Sequence, residues 1–289
     1  MQIAYQGEPG AFSEAAARQV SADAEPVACK NFEDVFAAVQ DGFVACGVLP
    51  IENSIGGSIH RNFDLMLEHN LTIVGEVELP VVHNLLALPG VSLGNIRRVY
   101  SHPQALAQCD RFLRTLTGVE IIATYDTAGS AKLVADGKMQ DAAAIASARA
   151  AEVFGLAIVK PSIQDFEHNV TRFLIVTTGD ADTFKPAGAP DKTTLVFTLP
   201  NESGALFKAL SVFALRGISL TKLESRPIPG RKWEYLFYVD LMVRDQVACT
   251  RALAHLGEFA TMLRVLGSYP SFNPPAGAQA AAGSLEMRA

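Results

Sequence analysis

Asn169-Val170-Thr171-Arg172-Phe173-Leu174-Ile175-Val176 is the stretch from which the architecture can be read. A hydroxyl, a fixed cation and an aromatic ring lead into an apolar run. Alternate side chains of a strand point to opposite faces, so Thr171 and Phe173 share one face and Arg172 takes the other. A strand at this point follows a long α/β alternation, and by fold-level analogy, which the periodicity itself does not prove, the segment 166–177 would be a return crossover. It would close a second lobe and rejoin the first, as in periplasmic-type binding folds. Such a strand end can hold a hydroxyl over a small ring-shaped anion, although a plain strand with a capping threonine has the same pattern.

Upstream, short apolar runs alternate with Ala-rich helical segments. Strands are expected at 3–6, 45–50, 72–79, 81–88, 98–101, 119–124 and 142–146. Helices are expected from about Ala11 and over 32–40, 58–67, 103–113, 128–135 and 148–154, the last capped by Ser147. Such alternation predicts a largely parallel α/β sheet. Residues 1–178 then form one two-lobed domain. The Gly/Pro-bearing stretch 179–191 reads as a linker. Beyond it strand, helix, strand, strand, helix and strand follow over 193–269, the split βαββαβ layout. The tail 271–289, with Pro274-Pro275 and then Ala/Gly, is expected to be disordered.

The 289 residues suffice for about two domains. A net charge of −6 and the absence of basic runs argue against nucleic-acid and membrane surfaces. The longest apolar region, 77–91, is broken by Pro80, His83, Asn84 and Pro89 and is unsuited to a bilayer. Cys29, Cys46, Cys109 and Cys249 have no CxxC spacing and read as reduced thiols, and the six histidines form no metal-ligand pattern, so no metal or cofactor is expected. Met1-Gln2-Ile3-Ala4-Tyr5 reads directly as a strand with no targeting segment before it, which suits a cytoplasmic protein.

Tyr5-Gln6-Gly7-Glu8-Pro9-Gly10-Ala11-Phe12-Ser13, Val48-Leu49-Pro50-Ile51-Glu52-Asn53-Ser54 running on through Gly56-Gly57-Ser58, and Ser101-His102-Pro103-Gln104-Ala105-Leu106-Ala107-Gln108-Cys109 are three further motifs. Together with Asn169–Phe173 they resemble the prephenate and arogenate dehydratases, in the family's order. Gly204-Ala205-Leu206 and Glu224-Ser225-Arg226-Pro227 resemble the phenylalanine-sensing motifs of the family's ACT domain. The resemblance covers residues 2 to about 270, and several specific motifs in one order are far stronger than any one of them. It implies a type II periplasmic-binding-protein-like catalytic domain, a ferredoxin-like ACT domain over 192–270, and loss of water and carbon dioxide from prephenate or its aminated analogue arogenate.

Hydroxide is a poor leaving group, and a positioned proton donor is worth ~10²–10⁴-fold. The resemblance places an essential threonine at Thr171. Its hydroxyl is a weak acid, so Glu52 is a candidate proton source if burial raises its pKa; otherwise Glu52 is ionised and fixes the loop. Asn53 and Gln108 are neutral amides that can bind the substrate without repelling a dianion, although Gln108 also reads as an exposed helix residue. Ser54, Gly57 and Ser58, entering a helix, can offer N–H groups to one carboxylate, and Gly10 with Ser13 to the other. Arg172 pairs with substrate or with a carboxylate of its own lobe, and Phe173 forms a wall. His102 beside Pro103 reads as a loop-positioning residue. In the ACT domain, Asn201, Gly204, Ala205 and Leu206 would meet Glu224, Ser225, Arg226 and Pro227 across a dimer interface and enclose phenylalanine. A homodimer or homotetramer is therefore expected; the bland alternative is a domain that only dimerises.

Two substrates stay open. Ile51 through Arg61-Asn62-Phe63-Asp64 to Pro89-Gly90, and Asp141 to Gln164, look very similar to plant arogenate dehydratases. The missing transit peptide and the short turn Ile228-Pro229-Gly230-Arg231-Lys232 point to a bacterial enzyme, and bacterial members mostly favour prephenate. A processed plant or algal form would instead work in the plastid stroma. A non-catalytic amino-acid receptor is the alternative from a different class, but an extracellular receptor needs an export signal, and a regulator has little use for Glu52, Asn53 and Thr171 together.

Overall fold

A computed structural model describes residues 1–179, 184, 188–228 and 230–272. The chain divides into two compact units, one of residues 1–70 and 77–178, the other of residues 71–76 and those from 179 onward.

The first unit opens with β1 (Gln2–Gln6), α1 (Phe12–Val20), β2 (Glu25–Cys29), α2 (Phe32–Gln40), β3 (Cys46–Asn53), β4 (Gly57–Ser58), α3 (His60–Glu68) and the second half, from Val77, of β5 (Thr72–Pro80). The chain then crosses into a second lobe: β6 (Asn84–Ala87), β7 (Arg98–Ser101), α4 (Pro103–Ala107), α5 (Asp110–Leu113), β8 (Glu120–Ala123), α6 (Thr127–Asp136), β9 (Ala142–Ala146), α7 (Ala148–Phe154) and β10 (Ala157–Lys160). Finally β11 (Val170–Thr177) returns to the first lobe and inserts between β3 and β5. The two sheets run β2-β1-β3-β11-β5 and β10-β6-β9-β7-β8, so the unit is two-lobed, as expected.

Local chemistry accounts for most helix starts. Asn31, Asp126 and Ser147 cap α2, α6 and α7 through their side-chain oxygens. Gly155, at φ +65°, ends α7 in the left-handed conformation that glycine adopts freely. Ile3, Val48, Ile73, Val99 and Ile145 are fully buried in the strands, and the all-alanine-and-isoleucine β9 is buried throughout. Burial pushes the thiols of Cys46 and Cys109 up to about 12, which makes them inert packing groups.

The expected elements need four corrections. The sheets are mixed: β1 pairs in parallel with β2 and β3, and β7 with β8 and β9, but β11, β6 and β10 add antiparallel pairings. β2 and β10 were not anticipated, because Glu25-Pro26 and the exposed Ile158 and Lys160 hide the strand pattern. The strand expected at 81–88 is regular only over β6. The helix expected at 103–113 breaks at Gln108 and Cys109, where Cys109 leaves the helical region at φ −119°, ψ 21°.

The second unit carries β12 (Lys192–Thr198), α8 (Ala205–Ala214), β13 (Ser219–Pro227), β14 (Tyr235–Met242), α9 (Gln246–Gly257) and β15 (Met262–Tyr269). This is the βαββαβ order, folded as an antiparallel sheet β13-β14-β12-β15. Phe197, Phe213, Val239 and Leu256 lie at the centre of its core. Most of the expected linker, and the tail beyond Phe272, lie outside the described residues. Ser271 and Phe272, assigned to a disordered tail, are hydrogen-bonded to Asp191 and Glu76. Among the described residues no helix is long and apolar enough to cross a membrane.

Candidate active site

A cavity of about 160 Å³ opens between the two lobes of the first unit. The first lobe contributes Ser13 at the start of α1, Pro50 and Asn53 on β3, and Thr171 and Phe173 on β11. The second lobe contributes His83, His102, Gln104, Gln108 and Thr127.

The wall formed by β3 and β11 depends on a bulge. Thr171 lies opposite Asn53 and Arg172 opposite Glu52, but Phe173 is opposite Pro50, so Ile51 is the extra residue on β3. Residues three apart on a regular strand face opposite ways; the inserted residue turns Pro50 and Asn53 to the same side. Ile59 N–H donates to Ile51 O at 2.9 Å and Asn62 Nδ2 to Pro50 O at 2.7 Å, which holds the distorted backbone.

Asn53 is the hub. Its Oδ1 accepts backbone N–H bonds from Ile55 at 3.1 Å and Gly56 at 2.7 Å. A backbone N–H can only donate, so the orientation of this amide is set: Nδ2 donates to Asn169 Oδ1 at 2.6 Å and to Thr171 Oγ1 at 3.0 Å. Thr171 Oγ1 thus acts as an acceptor toward Asn53, which leaves its own proton for a group in the cavity. Gln108 reaches across from the second lobe, with Nε2 3.3 Å from Asn53 Oδ1 and Oε1 accepting from Asn169 Nδ2 at 2.9 Å. The break between α4 and α5 is what turns Gln108 inward and buries it to 8% exposure.

The other residues singled out from the sequence have mixed placements. Glu52 does not line the cavity; its side chain is 38% exposed and lies 3.5 Å from Arg172. Paired with Arg172 and outside the cavity lining, the carboxylate is not placed to reach a group bound there. Arg172 is thereby engaged with a carboxylate of its own lobe, on the face away from Thr171. Ser54 binds the chain before β11, donating to His168 O at 3.2 Å and accepting from Val170 N at 3.0 Å. Gly57 and Ser58 pair with Asn53 and Glu52 as β4, so α3 starts later, at His60, and their N–H groups do not open a helix. Gly10 lies at a lobe contact: its carbonyl accepts from Ser147 Oγ at 2.7 Å, its N–H donates to Glu14 at 2.5 Å, and a Cβ there would lie 2.7 Å from Ala150 Cα. Ser13 and Phe173 line the cavity, and His102 caps α4 by accepting from Gln104 N–H.

Phe12, His83, Gln104 and Thr127 also line the cavity and were not singled out as site residues. Phe12 and Thr127 begin α1 and α6, whose first N–H groups lack intrahelical partners. A helix N-terminus adjoining a strand end was the readable signal. His83 was visible only as an interruption of an apolar run.

In the second unit, Asn201, Glu202, Ala205 and Leu206 line a cavity of about 120 Å³ with Trp233 and Tyr235. Trp233 is the chain's single tryptophan and holds a left-handed backbone at φ +63°. Gly204 caps α8 at φ +80° beside this cavity, whereas Glu224 to Pro227 lie on edge strand β13 and are not part of its wall.

A two-lobed α/β domain with a hydroxyl-and-amide cleft, joined to a βαββαβ domain, defines a cleft protein for a small polar ligand with a separate C-terminal domain. The sequence matches the family model for prephenate dehydratase over residues 3–181 and that for the ACT domain over residues 193–248. It is 52% identical over 281 residues to arogenate dehydratase/prephenate dehydratase 2, chloroplastic, of Arabidopsis thaliana, covering 93% of this chain and 73% of that protein. The prephenate dehydratase of Arthrobacter aurescens solved with L-Phe superposes with a TM-score of 0.84 at 32% identity, covering 98% and 97% of the two chains. GqqA, described as a novel type of quorum-quenching acylase, superposes equally well at 37% identity over 94% and 98%. The chain belongs to the prephenate dehydratase family. It is a carbon–oxygen lyase of phenylalanine biosynthesis with an ACT domain.

Proposed function

We propose that the enzyme acts chiefly on prephenate and that Thr171 hydrogen-bonds the departing hydroxyl. The carrying observation is the amide orientation at Asn53, which makes Thr171 an acceptor toward the protein and frees its proton for the cleft. As the ring carboxylate leaves as carbon dioxide, its bonding pair enters the ring and the C4–oxygen bond breaks. The product is phenylpyruvate, and the leaving oxygen takes a proton from Thr171 Oγ1, which is replenished from solvent, to become water. A donor preset on that oxygen stabilises its developing charge without reorganisation. The starts of α1 and α6, on opposite sides of the cleft, suit the two carboxylates, and Asn53 and Gln108 hold the substrate between the lobes.

Arogenate is the second substrate reading, favoured by the Arabidopsis relative, whose name carries both activities. In the second unit the cavity beside Asn201 and Ala205 is proposed to take phenylalanine, with Glu224 to Pro227 supplied by a partner subunit in a homodimer or homotetramer. The site of action is proposed as the cytoplasm, or the plastid stroma if the chain is a processed plant or algal form. The test is a side-by-side assay with prephenate and arogenate, each with and without phenylalanine, alongside light scattering for the oligomer. Faster turnover of arogenate would reverse the substrate assignment. An unaltered rate with phenylalanine, together with a monomer, would remove the regulatory one.

A further inference from the structure

His83 is 3% exposed, lines the catalytic cavity and lies just before β6 in the second lobe. Its Nε2 is 2.9 Å from Gln108 Oε1. The direction of that bond follows from the backbone. Ile55 and Gly56 N–H groups donate to Asn53 Oδ1, so the Gln108 atom facing Asn53 Oδ1 must be its NH₂. The Gln108 atom facing His83 is then the carbonyl, and His83 must present a proton on Nε2. The opposite nitrogen, Nδ1, is buried without a hydrogen-bond partner. A lone pair can be left there at modest cost, but a second N–H would bury an unpaired charged donor. Burial correspondingly lowers the imidazole pKa.

We propose that His83, neutral and protonated on Nε2, is a positioning residue that supplies the second donor to the Gln108 carbonyl and so holds Gln108 in the clasp between the lobes at Asn53. Gln108 is the only one of these amides contributed by the second lobe, and its carbonyl takes two donors, His83 Nε2 and Asn169 Nδ2. With the His83 donor missing, the Gln108 carbonyl keeps a single donor, Asn169 Nδ2, and the side chain is less firmly held at its 3.3 Å contact with Asn53 Oδ1. The link from the amide chain that presents Thr171 to the second lobe is then weakened. The backbone around His83 is itself tied down: its N–H donates to Gln164 Oε1 at 3.1 Å and its carbonyl accepts from Ile163 N–H at 2.9 Å. The backbone that carries this ring is therefore placed independently of Gln108.

The role in catalysis rests on the dehydratase reading of the cleft, and the test separates the two. Glutamine carries its NH₂ at the position of imidazole Nε2, whereas asparagine carries it at the position of Nδ1. His83→Gln is expected to keep kcat within about threefold of wild type, while His83→Asn and His83→Met lower kcat at least tenfold with KM within about threefold. All three remain folded by circular dichroism. The side-chain ¹⁵N spectrum of the unliganded protein is expected to show His83 protonated on Nε2 alone, a signature that needs no turnover. An Nδ1-protonated tautomer, or Asn as active as Gln, overturns the proposal. A wild-type protein that turns over neither prephenate nor arogenate, yet shows the Nε2–H tautomer, would discard the substrate reading and leave the orientation of Gln108 standing.

Discussion

Thr171 and Glu52 both fitted proton chemistry when read as sequence, and their surroundings separate them. Thr171 is 8% exposed in the cleft and already receives a hydrogen bond from Asn53, whereas Glu52 is solvated and ion-paired outside it. Thr171→Val, which keeps the shape and removes the hydroxyl, is expected to lower kcat by ~10²–10⁴-fold with KM little changed. Glu52→Gln is expected to keep the acidic limb of the pH–rate profile and to cost less than about tenfold in kcat, through loosening of Arg172. Steady-state kinetics across pH check both, and loss of the acidic limb in Glu52→Gln would restore the carboxylate as donor. His83 adds a stability effect at this scale. Burial holds its folded pKa below the ordinary imidazole value of 6.5, so below that pH the unfolded chain binds a proton that the folded one does not. The stabilisation is complete above about pH 6.5 and is lost as pH falls toward the depressed folded value. His102 shifts in the same direction, so wild type alone does not separate the two. The difference in Tm between wild type and His83→Gln is expected to shrink, or to change in favour of the variant, on going from pH 7.5 to 5.5.

Among the elements, the contact between the loop before α1 and the helix α7 is sensitive to a single atom. Gly10 sits at φ +91°, where L side chains are strained, and its missing Cβ is the space occupied by the Ala150 backbone. Gly10→Ala is expected to destabilise the first unit by about 2–4 kcal/mol through strain and forced separation, measured by urea unfolding. A change below about 0.5 kcal/mol would show that the two segments part freely. The β3 bulge has a comparable role for chemistry, since the extra residue Ile51 lets Pro50 and Asn53 face one cavity. No periodicity announces it: Cys46 to Ile51 is a continuous buried run, and a fully buried strand has no polar alternation to reveal its register.

For the whole molecule, the second unit can be read by a signal of its own. Trp233 is the single tryptophan, it is largely exposed, and it lines the cavity beside Asn201 and Ala205. Phenylalanine is expected to shift and intensify the indole emission with a saturable titration, and Trp233→Phe abolishes the signal. Unchanged emission at saturating phenylalanine would place the effector elsewhere. The first unit has no tryptophan, so prephenate analogues bound in the cleft leave that emission unperturbed unless the two units communicate.

The strand–helix alternation of the first domain and the βαββαβ order of the second were legible in the sequence, because hydrophobic periodicity is a local property of the chain; the two-lobed topology came by analogy, and Asn53 and Thr171 were marked out by contiguous motifs that resemble those of a family. Tertiary structure decided what depends on partners distant in sequence. It paired Glu52 with Arg172, diverted Ser54, Gly57 and Ser58 to backbone pairing, buried Gln108 by breaking a helix, and brought His83 within reach of it. Asn53 and Thr171 are separated by 118 residues and Gln108 comes from the other lobe, so the direction of their hydrogen bonds arises only once three segments meet. Sequence specifies which donors and acceptors exist; their orientation is settled by the backbone N–H groups that the fold places around Asn53.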